Sequence, residues 1–210
     1  MQLSLVKHWL LKPWVKPLLW LLCALPLVGL FIGASVGGLG ANPADKLIQE
    51  TGEWALRWLW LTLAITPLRD VANLPALVRY RRSLGVTSFV YAVVHFLAYA
   101  WLDKGLVIDD IVRDVFKRNF ILVGMLTLLL MLPLALTSFN AAIRALGGRR
   151  WQMLHKLAYF AALSGLLHFY WKKSAKNDVT EVMVYAVILA VLLGWRAARK
   201  GGIVGMLRVR

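Results

Sequence analysis

Three histidines, His95, His155 and His168, offer most of the chemistry open to this chain. Two of them share residues 151–171, WQMLHKLAYFAALSGLLHFYW, which begin and end with tryptophan and hold no Asp, Glu, Lys or Arg between Leu157 and Trp171. As one helix this stretch would run about 30 Å, the thickness of a bilayer's hydrocarbon core, with an aromatic anchor at each interface. His155 lies one turn inside the first anchor and His168 one turn inside the second. A polar group at that depth is costly unless something satisfies it, so each histidine is a functional candidate.

The other reactive residue types narrow the chemistry. No two histidines stand at i,i+3 or i,i+4, and no carboxylate falls at histidine depth within a span, which argues against zinc or copper. Cys23 is the single cysteine, so there is no disulfide framework, no C-x-x-C-H attachment motif and no thiolate cluster. Any cofactor is therefore expected to be held non-covalently. His8, beside Trp9, reads as an interfacial surface residue.

The elements that must position these histidines are membrane helices. Of 210 residues 60% are hydrophobic and only 17% charged, which is far from a soluble domain's balance. The apolar runs predict an all-α integral membrane protein, a six-transmembrane-helix bundle in one domain, 1–210, with spans at about 17–36, 51–68, 83–102, 120–137, 151–171 and 179–195. The N-terminal run resembles a signal peptide, but with five more spans behind it we read it as a retained helix. Residues 103–119 are polar and amphipathic, with Leu106, Val107, Ile111, Val115 and Phe116 spaced for a short helix lying on the membrane surface. Asp178 and Glu181 suggest a capping box opening the last span. No internal repeat or low-complexity tract is visible.

Six spans put both termini on one side. With the termini in the cytoplasm, most of the 25 Lys and Arg lie there, joined by Asp70 alone of the 10 acids, so the whole net charge of +15 faces the cytoplasm. These charges read as topology and attraction to anionic lipid rather than as a nucleic-acid surface.

On this topology the third and fifth spans both run outward, and counting from their starts sets His95 and His168 at one depth near the outer face. Two facing helices that each offer a histidine at one level can clamp a haem iron with neutral imidazoles. His155 lies at the inner level, and the residue four turns before His95 is Arg81. His155 is then a candidate ligand of a second haem, with Arg81 as its sixth ligand or as a partner for propionates, or the inner site is five-coordinate. In an ideal straight helix, thirteen residues leave His155 and His168 off a common face. The rival reading is a transporter or scaffold whose histidines bind a proton or a metal.

The segments GGLGANP, LAITPLR, RYRRSLG followed by VVHFLAYA, and GGRRWQMLHKLAYFAALSGLLHFYW together resemble the haem-binding membrane subunits of bacterial periplasmic methionine sulfoxide reductase systems. Those subunits belong to the ferric-reductase-like transmembrane superfamily. The resemblance covers nearly the whole chain. It implies b-type haem, one or two per chain, held by His95, His168 and His155, with flavin mononucleotide as a further cofactor. It also implies a cytoplasmic flavin reductase as electron donor, a periplasmic molybdopterin methionine sulfoxide reductase as acceptor, and a place in the bacterial inner membrane. The superfamily generally carries two histidines on each of two helices; here Arg81 stands where the fourth would fall. The chain has no G-x-G-x-x-G and no soluble nicotinamide domain, so it is expected to borrow its electrons and to have no substrate-reducing site of its own.

Overall fold

A computed structural model describes residues 8–174 and 178–200. Its long helices are α1 (Val15–Ser35), α2 (Pro43–Val71), α3 (Val78–Ala98), α5 (Asn119–Leu136), α8 (Leu157–Ser174) and α9 (Thr180–Lys200). Three shorter ones, α4 (Ile108–Lys117), α6 (Asn140–Leu146) and α7 (Gly148–Leu154), lie between them, and among the described residues there is no strand. A 3₁₀ turn, Pro75–Leu77, leads into α3, and a π turn, Tyr99–Asp103, leads out of it. Among the described residues, four stretches are long and apolar enough to cross a membrane: Val15–Ser35, Pro75–Asp103, Asn119–Leu136 and Thr180–Arg199.

The other two long helices, α2 and α8, are the ones the rest is packed around. Charged residues near their ends lower their mean hydropathy, yet they supply much of the core. Leu56, Leu59, Trp60 and Leu63 of α2 meet Ala162 and Phe169 of α8 and Val182, Leu189 and Leu192 of α9. The main helix pairings are α2 on α3 and α5 on α8. Large apolar side chains on α1, α5 and α9, such as Phe31, Leu129 and Val187, are exposed, as expected of faces turned to lipid tails.

Helix α2 begins at Pro43, eight residues before the predicted span. Asn42 caps it, its Oδ1 accepting from Asp45 N at 3.1 Å, with Pro43 in the first turn where no amide hydrogen is needed. Residues 43–50 interleave Asp45, Lys46, Gln49 and Glu50 with apolar residues, so they form no apolar run; in the fold their charges are paired along the helix, as in Lys46–Glu50 at 2.8 Å. Similarly, the basic segment 79–82 lies within α3 rather than ahead of it.

The predicted continuous span 151–171 is two helices. Helix α7 ends at His155, where Lys156 N reaches Met153 O at 3.1 Å, a 3₁₀-type bond, and α8 starts at Leu157. The break keeps Lys156 at a helix end, and it releases His155 from the helical register that would have tied it to His168. Thr137, just past the end of α5, anchors this turn from below: its carbonyl accepts from Trp151 Nε1 at 2.9 Å.

Helix α1 is joined to α3 by one side chain. Pro26 interrupts α1, and just beyond it the Tyr91 hydroxyl donates to Cys23 O at 2.7 Å and accepts from Leu27 N at 3.2 Å. Cys23 and Leu27 are the i and i+4 of one helical hydrogen bond, so the hydroxyl is inserted into the ladder and satisfies both groups. Tyr91 is 1% exposed.

The amphipathic α4 forms where expected, with Val115 buried and Ile108, Val112 and Phe116 exposed; Leu106 and Val107 precede it in the turn. Its inner side carries Asp114, which accepts from Tyr99 Oη at 2.6 Å, pairs with Lys104 at 3.1 Å and is hydrogen-bonded to Arg118.

Candidate functional site

A cleft opens between α2, α3, α5 and α8, and His95 of α3 and His168 of α8 both line it. Its cavity volume is about 230 Å³. Its walls carry small residues, Ala55, Ser88, Ala92 and Gly165, and larger apolar ones, Leu56, Leu59, Leu128 and Met131. Charged residues, among them Asp45, Glu53, Asp103, Arg118, Lys172 and Lys173, complete the lining. The wall hydroxyls are satisfied: Ser88 Oγ donates to Ala55 O at 2.8 Å, and Thr127 Oγ1 lies 2.8 Å from Ser164 Oγ.

The two imidazoles are 6.0 Å apart between ring centres, with their planes at 75°. His95 Nδ1 lies 2.7 Å from Ile48 O of α2, and His168 Nδ1 lies 2.6 Å from Phe120 O of α5. A carbonyl can only accept, so both Nδ1 atoms carry the proton and both Nε2 atoms keep a lone pair. This is the tautomer a metal-ligating histidine needs, with the second nitrogen oriented by a backbone carbonyl. An imidazole nitrogen sits roughly 2 Å from the metal it binds, and its ring centre is about 1 Å further back. Two such ligands on opposite sides of one iron have ring centres about 6 Å apart, as these two have. The residues present therefore fit a haem held by two histidines.

A fixed charge network borders the cleft. The Glu53 carboxylate, 6% exposed, pairs with Arg57 at 2.8 Å and Lys173 at 3.3 Å, while Lys173 also reaches Glu181 at 2.9 Å. Arg57 Nε donates to Tyr185 Oη at 3.0 Å. Each buried charge has an opposite partner, without which burial would be prohibitive.

His155 stands apart from this pair. Its ring is stacked on Trp151, 3.9 Å between centres, and its Nε2 is 3.1 Å from Thr137 Oγ1. That hydroxyl also lies 2.7 Å from Pro133 O, to which it donates, so His155 Nε2 is the donor toward Thr137. Arg81 and Arg82 are near enough to act on the His155 ring electrostatically. The structure thus brings His95 and His168 together and sets His155 apart from them. Among the described residues no three His, Cys, Asp or Glu gather into a metal-ligating group.

Two glycines escaped the sequence reading. Gly52 of α2 lies under the His95 ring and Gly124 of α5 under the His168 ring. The available signal was an isolated glycine in each helical run, followed 43 or 44 residues later by a histidine. The spacing exposes a repetition that residue identities hide: accepting carbonyl and glycine at 48 and 52 serve His95 as those at 120 and 124 serve His168.

Residues 51–166 match the family described as ferric reductase like transmembrane component. A protein of Polaromonas naphthalenivorans is 53% identical over 90% of this chain and 87% of its own length. One from Ralstonia nicotianae is 45% identical over 91% of each, and one from Brucella anthropi 47% identical over 86% of this chain and 82% of its own. All three are named protein-methionine-sulfoxide reductase heme-binding subunit MsrQ. No solved structure matches the chain.

Proposed function

The chain belongs to the ferric-reductase-like transmembrane family and, within it, to the MsrQ subunits, and on that premise we propose that it is a b-haem electron carrier of the inner membrane. It would take electrons from a cytoplasmic flavin reductase and pass them to a periplasmic molybdopterin methionine sulfoxide reductase, for repair of oxidised periplasmic proteins. The observation that carries this reading is the His95–His168 pair, 6.0 Å between ring centres with both Nδ1 atoms committed to carbonyls.

Haem held there would accept and release single electrons, at a potential set by its two imidazole ligands and by burial. The chain's own residues do the rest. Ile48 O and Phe120 O hold the rings in the ligating tautomer. Leu56, Leu59, Leu128 and Met131 line the cleft with apolar surface that keeps water away. In this reading His155 is a ligand of a second, inner haem, which is five-coordinate or has Arg81 as sixth ligand or propionate partner, and flavin mononucleotide is a further cofactor.

The charges support the orientation. At one end of the bundle Arg69 and Arg199 share Asp70, and Arg196 donates to Leu63 O and to Tyr159 Oη. At the other end Asp45, Glu50, Glu53 and Glu181 balance Lys46, Arg57, Lys172 and Lys173. The basic end belongs in the cytoplasm under the positive-inside rule, and six spans with both termini on that side follow if α2 and α8 also cross. The cleft then lies toward the periplasm, where the acceptor docks.

The purified protein should be red, with a Soret band that shifts on reduction by dithionite and one or two haems per chain. A colourless but folded preparation would overturn the reading and turn attention to proton or metal binding by a transporter or scaffold.

A further inference from the structure

We infer that Gly52 and Gly124 are positioning residues for the two outer ligands, each one a gap in a helix surface that lets an imidazole reach the backbone. The inference rests on the haem reading above. In a helix the carbonyl of residue i points toward residue i+4 and already accepts from its amide, leaving one lone pair for an outside donor. A side chain at i+4 stands beside that lone pair. His95 bonds Ile48 O, and the residue four on is Gly52; His168 bonds Phe120 O, and the residue four on is Gly124. A Cβ at position 52 would lie 2.9 Å from His95 Nδ1 and 3.0 Å from its Cε1. At position 124 it would lie 2.8 Å from both Nδ1 and Cε1 of His168. These contacts are with a ring already tied by its own hydrogen bond, so the ring or the helix must shift and the bond to the carbonyl is disturbed.

Glycine is a poor residue for a helix interior, and replacing it by alanine ordinarily strengthens the helix. Its use at the same step of two separate sockets, against that tendency, is explained by the ring's approach. What the gap secures is the Nδ1–H···O=C bond, hence the tautomer and the aim of Nε2. Gly29 of α1 and Gly194 of α9 have nothing within 4 Å of an added Cβ and supply the contrast.

The test compares the full-length protein with its Gly52→Ala, Gly124→Ala, Gly29→Ala and Gly194→Ala variants by optical and EPR spectra, and by carbon monoxide binding to the ferrous form. We expect low-spin iron closed to carbon monoxide in the wild type and in the two contrast variants. In Gly52→Ala and Gly124→Ala the outer haem should become mostly high-spin and bind carbon monoxide, or be lost. A second measurement needs no haem: the drop in thermal midpoint caused by Gly52→Ala should vanish in a His95→Ala background, where the clashing ring is gone. If Gly52→Ala does not accumulate alone, its recovery in that background supports the inference, and failure there too overturns it. Wild-type-like spectra and midpoint in both socket variants would overturn it while leaving the haem reading standing. A colourless wild type overturns both.

Discussion

His95 and His168 approach to 6.0 Å between ring centres although 73 positions separate them in sequence, and neither owes its orientation to the other. Each is aimed by a helix that carries no ligand, α2 for His95 and α5 for His168. Four helices therefore have to be in place before two ligands are.

His95→Ala and His168→Ala should each remove the outer low-spin haem, since loss of one axial ligand leaves the iron five-coordinate and weakly held. Haem per chain should fall by about half where two sites are filled, and to near zero where there is one. Pyridine haemochrome counting against protein mass checks this, and a full low-spin complement in either variant counts against the pair.

His155→Ala should leave that outer signature unchanged, because His155 lies in a different part of the fold, against Trp151 and Thr137. Arg81→Ala separates two roles at the inner level. A ligand role predicts a change to high spin, whereas a propionate role predicts an unchanged spin state with a lower midpoint potential, as a cation that favoured the electron has gone. Redox titration followed at the Soret band distinguishes them, and an Arg81→Ala protein altered in neither respect marks the arginine as topogenic only.

Tyr91→Phe should destabilise the protein by about 1–3 kcal/mol, the cost of leaving buried backbone groups without their partner. Cys23 O and Leu27 N lose the hydroxyl that bridges them. Thermal unfolding in detergent reads the change; an unaltered midpoint would mean that α1 closes its own ladder once the hydroxyl is absent.

Acid should loosen the junction of α4 and α5 through Asp114. Burial by itself would push this carboxyl up, but hydrogen bonds from Arg118, Tyr99 and Lys104 outweigh it and hold the group well below the ordinary carboxylate range. The unfolded chain, titrating near about 3.9, takes up the proton first, so the stabilisation is complete above that pH and is lost as pH falls below it. The midpoint should fall as pH drops below about 4 and go on falling toward the low value held in the fold. It should drop less steeply in Asp114→Asn, and equal slopes would remove Asp114 from the account.

Composition and spacing alone establish the class of the protein and the identity of its reactive groups. An excess of apolar residues in runs of bilayer length, with histidines set within two of them, leaves little else for those residues to do. Pairing His95 with His168 was also legible, because residues at equal depth on two parallel spans are brought level by helix geometry alone. The tertiary structure decided what depth does not encode. Helix α2 starts eight residues early because its polar first turns are paired along the helix and with α8, and charge pairing across helices leaves no hydropathy signal. The break at His155 arises from contacts with Thr137, a residue of another segment. The glycine sockets were hidden for the same reason: a glycine's meaning lies in what approaches it, and here that is an imidazole from a helix more than forty residues further along the chain.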